Sequence, residues 1–396
     1  MKNAVYILSA TRTPMGSYSG GLSTVSATEL GATAIKHAIK KATIQSDQVE
    51  SIVMGNVLSA NLGQAPARQA SMLAGLPEKT CATTVNKVCA SGMKAVSMVF
   101  NDIKLNNCEI GVAGGMENMS QVPHYLPNSR KGLGFGHASL VDGMLKDGLT
   151  DVYNQTSMGV SGDKTAEKYN ISREEQDKYA MQSYVKSTNA WQNGLFENEI
   201  AKVSVPQRKG EPIVISEDET YQKANFDKMK KLRPAFSEKG TVTAANASPL
   251  NDGASALVIA GDSFVNNNDL VPEAEIIAYA EAEQDPTFFT TTPILATKKV
   301  LEKANLNLSD IDFFEVNEAF SVVPIVYMKT LDIADEKVNA FGGAVSLGHP
   351  LGSSGSRILV TLLNILKAKN AQYGLAAICN GGGGASAMII KNLSYE

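Results

Sequence analysis

The feature of this sequence that most restricts its fold is a stretch that occurs twice. The runs AIKKATIQSDQVESIVMGNV and VLEKANLNLSDIDFFEVNEA each contain a helix end, a Ser-Asp turn, an acidic turn and a strand that ends near an asparagine, Asn56 or Asn317. Cys89 follows Asn56 by 33 positions, and His349 follows Asn317 by 32. Chance convergence of α/β patterns explains one similarity, but two features at matched spacing favour duplication. The sequence therefore predicts two copies of one α/β unit.

Strand-like and helix-like segments alternate within the first copy. The runs AVYIL, SIVMGNV, ATTV and EIGVAGG are typical of strands, and amphipathic runs lie between them. This alternation predicts a parallel or mixed sheet covered by helices. From about residue 120 to 245 the pattern gives way to Gly-, Pro- and His-rich sequence and a helix with a capping box of Ser172 and Glu175. We interpret this region as an insertion.

Composition excludes several classes of function. No run in the 396 residues approaches the roughly 18 unbroken apolar residues of a membrane span. Lys plus Arg number 36 against 40 Asp plus Glu, and this net charge of −4 gives no general attraction for nucleic acid. The 4 cysteines and 4 histidines show no zinc-ligand spacing. We recognise neither a secretory signal nor a peroxisomal tripeptide, so we expect a cytoplasmic protein.

Cys89 lies in the stretch VNKVCASG, where a strand-like run changes to a helical one. A thiol at the first turn of a helix is near the positive end of the helix dipole, which favours the thiolate. The small residues Ala90, Ser91 and Gly92 leave room for a group on the sulfur. A structural core cysteine is the alternative. The residue alone does not decide between a nucleophile and a core cysteine.

Three further motifs contain candidate catalytic residues. His349 lies among glycines at the position that corresponds to Cys89, where it can act as the base for a thiol. Cys379 precedes Asn380 and four glycines, whose amides can donate to an oxyanion. Asn317 ends a strand and can orient a water or polarise a carbonyl. The alternatives are a structural histidine, a flexible hairpin and a helix-capping asparagine.

Together the motifs NKVCASGMKA, AGGMENMS, GTVTAANASPLNDGA, EVNEAF, GGAVSLGHPLGSSG and CNGGGGASA resemble the thiolase family, specifically its short-chain acetyl-CoA acetyltransferases. The resemblance covers essentially the whole chain. It implies an α/β thiolase fold of two similar βαβαβαββ halves, each with a five-stranded sheet, layered α/β/α/β/α. The N-terminal half would comprise 1–119 and 246–269, the loop domain 120–245 and the C-terminal half 270–396. The loop domain would bind coenzyme A and form the contacts of a homotetramer, a dimer of dimers.

The resemblance also implies roles for individual residues. Cys89 would accept the acyl group, with His349 as the base that takes its proton. Cys379 would move a proton on or off the α-carbon of a second acetyl-CoA, whose enolate His349 and a water held by Asn317 would stabilise. The amides of Cys89 and Gly381 would bind the oxyanion of acyl transfer. A Claisen condensation needs an acylated electrophile and a base at once, which two cysteines can provide without a metal or redox cofactor.

Substrate binding is expected along a tunnel for the pantetheine of coenzyme A. By resemblance its walls would be Met158, Phe236, Ala247, Ser248, Leu250, Ala319 and Phe320. The cationic run KANFDKMKKLR, with Lys223 and Lys228, suits the phosphates of coenzyme A, although a solvated helix face is an equal alternative. Ser157 stands where the family usually has a histidine that contacts the acyl-CoA, so substrate affinity or acyl preference is expected to differ.

The run TAANAS resembles a subgroup of the family that binds potassium. The implied ligands are the backbone carbonyls of Ala244, Ala245, Ala247 and Val345 and the hydroxyl of Tyr184. Alanine has no ligating side chain, so only the backbone could serve at those positions. The resemblance therefore adds potassium to coenzyme A as an expected ligand.

The resemblance predicts an acetyl-CoA C-acetyltransferase that condenses two acetyl-CoA reversibly to acetoacetyl-CoA plus CoA, by a ping-pong mechanism through acyl-Cys89. A degradative 3-ketoacyl-CoA thiolase of broader chain length is the nearest alternative. Decarboxylating ketoacyl synthases share the duplicated fold but generally lack a cysteine like Cys379, which counts against them. A catalytically impaired acyl-CoA-binding homologue is suggested only by Ser157.

Overall fold

The order of helices and strands repeats along the chain. The computed structural model describes residues 4–395. The elements before the insertion are β1 Val5–Arg12, β2 Gly16–Ser17, α1 Ala27–Lys41, β3 Ser51–Gly55, α2 Pro66–Ala74, β4 Cys81–Val85, α3 Ser91–Lys104 and β5 Ile110–Asn118. Those of the insertion are β6 His124–Tyr125, β7 Val141–Asp142, β8 Thr150–Asp151, β9 Thr156–Ser157, α4 Met158–Lys168, α5 Arg173–Gln192, β10 Val203–Val205, β11 Ile213–Ile215 and α6 Phe226–Met229. The remaining elements are β12 Asn251–Gly261, α7 Asp262–Asn267, β13 Ala274–Glu283, α8 Thr292–Ala304, β14 Phe313–Val316, α9 Val322–Leu331, α10 Ala344–Leu347, α11 Leu351–Ala368, β15 Tyr373–Asn380 and β16 Gly384–Asn392.

The long strands have the order β14-β15-β16-β13-β1-β12-β5-β3-β4, with β2 paired to β12. In the first half, β12 is antiparallel to both β1 and β5, and β3 is parallel to both β5 and β4. In the second half, β16 is antiparallel to both β13 and β15, and β15 is parallel to β14. Within residues 4–395, only Tyr6 with Glu275 and Ile7 with Ala274 pair between the two halves. The halves share strand order and direction, so the predicted duplication and fold class are confirmed.

The second half departs from five full strands at its outer edge. Where the first half has β4, the second has a single parallel bridge between Val338 and Phe314. Asn339 leaves the extended conformation, with φ 49°. Its side-chain amide then supplies the missing pairing, because it accepts from the Val316 N–H at 2.7 Å and donates to the Val316 carbonyl at 2.9 Å. One side chain thus replaces a short edge strand.

Helices form three layers around the sheet. α1 and α2 cover one face of the first half, α8 and α9 cover the second, and α3 and α11 lie together between the halves. Glycines permit this central contact: a Cβ on Gly92 would lie 2.5 Å from the Ser356 Oγ, and one on Gly355 would lie 2.5 Å from the Met93 nitrogen. The α/β/α/β/α layering therefore brings the starts of α3 and α11 together.

A buried ionic cluster anchors the insertion to both halves. The guanidinium of Arg12 donates to both oxygens of Asp218, at 2.7 and 2.9 Å, and to Glu199 at 2.5 Å. Glu199 also accepts from Thr361 at 3.2 Å and from Asn364 at 3.1 Å, both on α11. The boundaries 1–119 with 246–269, 120–245 and 270–396 stay a prediction. No helix within residues 4–395 is long and apolar enough to cross a membrane.

Candidate active site

A strained turn between β4 and α3 positions Cys89. Val88 has φ 48°, in the left-handed region that β-branched residues rarely adopt. The Asn86 Oδ1 accepts from the Val88 N–H at 2.9 Å. The Ser91 hydroxyl accepts from the Lys87 N–H at 2.8 Å and donates to the Val88 carbonyl at 2.6 Å. Strain of this kind persists only where surrounding contacts impose it, and it is typical of functional sites.

His349 lies just before α11, at the place that corresponds to Cys89 before α3. Its N–H donates to the Asn251 Oδ1 at 2.9 Å. Its ring Nδ1 is 2.6 Å from the Ser354 Oγ, and the Ser354 hydroxyl donates to the Pro350 carbonyl at 3.0 Å. With that hydroxyl donating to the Pro350 carbonyl, we assign the imidazole proton to Nδ1. The Nε2 is therefore unprotonated, and it is buried without a partner in residues 4–395.

Cys379 and Asn317 lie at the ends of the neighbouring parallel strands β15 and β14. Both side chains are buried. Neither the Oδ1 nor the Nδ2 of Asn317 has a hydrogen-bond partner in the described part of the chain. An unpaired buried amide is costly, which favours a site for a water or a ligand. This supports the prediction that Asn317 holds a group from outside the protein.

Burial decides the charge of the two reactive groups. It raises the pKa of the Cys89 thiol to about 12, although the N–H groups of Gly381 and Cys89 act in the opposite direction. Burial also lowers the pKa of His349 to about 3, and the Arg357 guanidinium adds to this effect. At neutral pH the pair is therefore an uncharged thiol and an uncharged imidazole. This combination suits activation of the thiol by a general base at the moment of attack.

The effect of the helix start, which favours a Cys89 thiolate, is outweighed in the structure. The cysteine precedes the helix instead of lying within its first turn, since Ala90 is the N-cap and Ser91 the first helical residue. Desolvation then outweighs the backbone N–H groups nearby. Burial and the neighbouring Cys89 likewise raise the pKa of Cys379, so both thiols are protonated at rest.

A cavity of about 430 Å³ opens onto Cys89, His349 and Gly381. Eight of the predicted binding residues line it: Ser157, Met158, Phe236, Ala247, Ser248, Leu250, Ala319 and Phe320. Other lining residues were not predicted, namely Val88, Met119, Leu145, Leu149, Phe289 and Leu351. Met119 belongs to the quoted motif AGGMENMS, but the segments of Leu145 and Phe289 carry no distinguishing pattern. Cys379 and Asn317 are not among the residues that line the cavity.

The cationic run lies away from this cavity wall. The Lys223 Nζ donates to the Ser17 Oγ at 2.9 Å and lies 4.0 Å from a carboxylate oxygen of Glu219. Lys228 is exposed on the short helix α6. The structure does not bring these two lysines to the catalytic residues.

Three of the predicted potassium ligands share one small cluster. Tyr184, Ala245 and Val345 pack there with Ala180 and Met229. Ala244 and Ala247 line the neighbouring cavity instead. Within residues 4–395 there is no group of three or more His, Cys, Asp or Glu side chains that could hold a metal ion. An ion at this cluster would therefore depend on backbone carbonyls and the tyrosine hydroxyl.

The chain matches known proteins along almost its whole length. Residues 5–263 match the family "Thiolase, N-terminal domain", and residues 270–392 match "Thiolase, C-terminal domain". Acetyl-CoA acetyltransferase 2 of Arabidopsis thaliana is 52% identical over 391 residues, which cover 98% of this chain and 97% of that protein. The mitochondrial acetyl-CoA acetyltransferase of Danio rerio is 50% identical over 390 residues, or 98% of this chain and 92% of that protein.

A solved structure agrees with these relatives. The Acat5 thiolase of Ascaris suum, crystallised in complex with coenzyme A, superposes with a TM-score of 0.94 at 44% identity. The superposition covers 98% of this chain and 100% of the other. Sequence, fold and the arrangement of two cysteines, a histidine and an asparagine all give the same assignment. The chain belongs to the thiolase family.

Proposed function

We propose that this acyltransferase is an acetyl-CoA C-acetyltransferase, which converts two acetyl-CoA reversibly to acetoacetyl-CoA plus CoA. The observation that carries the proposal is that the Cys89 thiol and the Nε2 of His349, which has no hydrogen-bond partner within residues 4–395, open onto one largely apolar cavity. The buried thiol of Cys379 and the unpaired amide of Asn317 supply the second half of the chemistry. The names of the relatives support acetyl-CoA as the substrate.

In the first half-reaction the Nε2 of His349 takes the proton of the Cys89 thiol as the sulfur attacks the thioester carbonyl. The N–H groups of Cys89 and Gly381, which already face the sulfur, donate to the oxyanion. CoA then leaves as a thiolate. If the Cys379 thiol protonates it, the products are acetyl-Cys89, a Cys379 thiolate and an imidazolium at His349, with atoms and charge conserved.

The second half-reaction begins with the Cys379 thiolate and the His349 imidazolium that the first half-reaction produced. The Cys379 thiolate takes a proton from the α-carbon of the second acetyl-CoA. The imidazolium of His349 and a water held by Asn317 stabilise the enolate oxygen. The enolate attacks acetyl-Cys89, and the departing Cys89 sulfur recovers its proton from His349. Every catalytic group returns to its starting state, which is what a ping-pong cycle requires.

A chain-length series tests acetyl specificity against a degradative thiolase of broader range. Thiolytic cleavage of acetoacetyl-CoA should exceed that of 3-ketohexanoyl-CoA and 3-ketooctanoyl-CoA, which have two and four more methylenes, by about tenfold or more in kcat/KM, since even one methylene provides discrimination of that order. Equal rates along the series would contradict acetyl specificity. They would favour the degradative alternative and leave the acyltransferase chemistry intact.

Ser157 is proposed to tune acyl preference at the cavity wall. It is the N-cap of α4, but its exposed side chain makes no capping hydrogen bond within the described chain. The Ser157→His variant, which adds a bulky polar ring there, should change KM for acetyl-, propionyl- and branched acyl-CoA unequally, by about threefold to tenfold. Steady-state kinetics measure this, and Ser157→Ala, which loses no such bond, is the control. Identical constants for both variants and all substrates would refute the role.

Potassium is proposed as a structural ion beside the cavity. The clustering of Tyr184, Ala245 and Val345 supports this, because backbone carbonyls and a hydroxyl are hard oxygen ligands. Replacing potassium with sodium or choline should lower both the acetyl-CoA turnover and the thermal midpoint of unfolding. The midpoint reports binding to the folded state independently of activity. Unaltered values of both would refute the site.

The oligomeric state, the phosphate contacts of coenzyme A and the cellular location are also proposals. The loop residues Leu133, Phe135 and Leu140 are exposed and apolar, which supports contacts in a homotetramer built as a dimer of dimers. The Lys223 and Lys228 ammonium groups are proposed to meet the phosphates of coenzyme A. A cytoplasmic location is proposed as well; the relative from Gibberella zeae is named cytosolic and that from Danio rerio mitochondrial. Neither nucleic acid nor membrane is proposed as a partner.

A further inference from the structure

The duplication places Glu117 in the first half where the second half has Cys379. In the first half, Gly55 at the end of β3 pairs with Gly115, and Glu117 follows two residues later. In the second half the pair is Val316 with Ala377, and Cys379 follows two residues later. The next strand confirms the register, since Glu117 pairs with Gly253 as Cys379 pairs with Ala385. Asn56 corresponds to Asn317 in the same way, directly after β3 and β14.

The two equivalent positions are used differently. In the second half, the amide of Asn317 is unpaired within residues 4–395. In the first half, the amide of Asn56 donates to the Glu117 Oε1 at 2.8 Å, and the Leu58 N–H donates to the same oxygen at 3.1 Å. The Val57 N–H donates to the Oε2 at 3.1 Å. The glutamate therefore occupies the space that the second half keeps for substrate chemistry.

The remaining contact of Glu117 crosses between the halves. Its Oε2 accepts from the N–H of Gly352 at 2.8 Å. Gly352 is the second residue of α11 and lies three positions after His349. A Cβ on Gly352 would lie 2.8 Å from the Asn56 Cα and 2.9 Å from the Glu117 Oε2, so glycine is needed for this approach. A buried carboxylate thus holds the first turn of the helix that follows the catalytic histidine.

We infer that Glu117 is a positioning residue of the acyl-transfer site. It fixes the start of α11 against the first half, and its carboxylate contributes a negative charge to the surroundings of Cys89. The inference rests on the proposed function, because it concerns the same Cys89 and His349. It goes further by giving a role to a carboxylate that takes no part in the reaction steps. The carboxylate acts through Gly352 and through its charge, without contact with substrate.

The charge of Glu117 also supports its role at this site. The negative charge of Glu117 raises the pKa of Cys89 in the same direction as burial does. Burial raises the pKa of Glu117 itself to about 7, and the charge of Asp252 on β12 adds to this. Cys379 and His349 are the other titratable groups at the Cys89 sulfur. Above neutral pH the charge of Glu117 adds to the larger effect of burial, and an uncharged substitute should therefore increase the small thiolate fraction of Cys89.

The test is alkylation of Cys89 by iodoacetamide at about pH 8, followed by mass spectrometry of the peptide that contains it, because only the thiolate reacts. In Glu117→Gln the alkylation rate should rise by up to about tenfold, the change that follows when the pKa of Cys89 falls by about one. The kcat for acetoacetyl-CoA formation should fall about tenfold, since the amide cannot accept every N–H, while KM for acetyl-CoA stays within about twofold. Glu117→Asp keeps the negative charge, but its shorter side chain cannot reach the Gly352 N–H. Its alkylation rate should therefore match that of the wild type while kcat falls.

Glu199→Gln is the matched control, because Glu199 is another buried carboxylate bonded to α11, at Thr361 and Asn364. It should lower thermal stability without changing Cys89 alkylation. An unchanged alkylation rate in Glu117→Gln, or equal changes in both glutamine variants, would overturn the inference. If Glu117→Gln does not fold, a wild-type kcat in Glu117→Asp would overturn it. Wild-type protein that alkylates normally but makes no acetoacetyl-CoA would count against the proposed function alone.

Discussion

Replacement of Cys89 by alanine should abolish acetoacetyl-CoA formation, with a loss in kcat of about 10⁴-fold or more, as for other residues that form the covalent intermediate. Without the sulfur no acyl group is held for the enolate to attack, and Cys379 cannot replace it because one thiol cannot hold the acyl group and act as the base at the same time. The change should be tolerated by the fold, since the neighbouring position already holds the small buried residue Ala90. Turnover of acetyl-CoA measures it.

Cys81→Ala is the control for this variant, because Cys81 is an exposed thiol at the start of the outer strand β4 and, unlike Cys89, does not line the cavity. It should retain wild-type turnover. Activity in Cys89→Ala within about tenfold of wild type would exclude a covalent mechanism through this residue.

Replacement of Cys379 by alanine should separate the two half-reactions. The Cys89 thiol, the His349 base and the oxyanion donors remain, so acetyl-CoA should still acetylate Cys89. Condensation should fall by about 10³-fold, in the range that loss of a general base produces, because no group is left to take the α-proton. Rapid-quench measurement of acetyl-Cys89 beside steady-state formation of acetoacetyl-CoA distinguishes the steps. An equal loss in both would contradict the division of labour between the cysteines.

Much of the fold was predictable because local patterns and the duplication agree. The spacing from Asn56 to Cys89 and from Asn317 to His349 reflects real structural equivalence, since each asparagine follows a parallel strand and Cys89 and His349 each precede a central helix. The reduced edge strand was not predictable. It depends on the Asn339 side chain replacing backbone pairing to Val316, which no periodicity reveals. The contact between the Asn339 side chain and the Val316 backbone thus takes the place of an edge strand that the duplication would predict.

The site was predictable in its residues and less so in its electrostatics. The motifs predicted Cys89, His349 and eight further residues that line one cavity, but the helix-start argument left out the desolvation of the Cys89 sulfur. Desolvation depends on how many atoms surround the sulfur, and the sequence does not contain that quantity. The strained turn at Val88 was missed for a related reason, since a valine carries no signal for a positive φ. The role of Glu117 depends on the contact between halves and became visible only in the structure.

Trapping the covalent intermediate tests the central claim most directly. The protein is incubated with acetyl-CoA, quenched and digested, and the site of acetylation is mapped, while a parallel sample receives more acetyl-CoA before the quench. We predict one acetyl group on Cys89, absent from Cys89→Ala, and acetoacetyl-CoA released as the adduct turns over. Acetyl-CoA that binds without forming an adduct, or an adduct on another residue that turns over instead, would contradict the account.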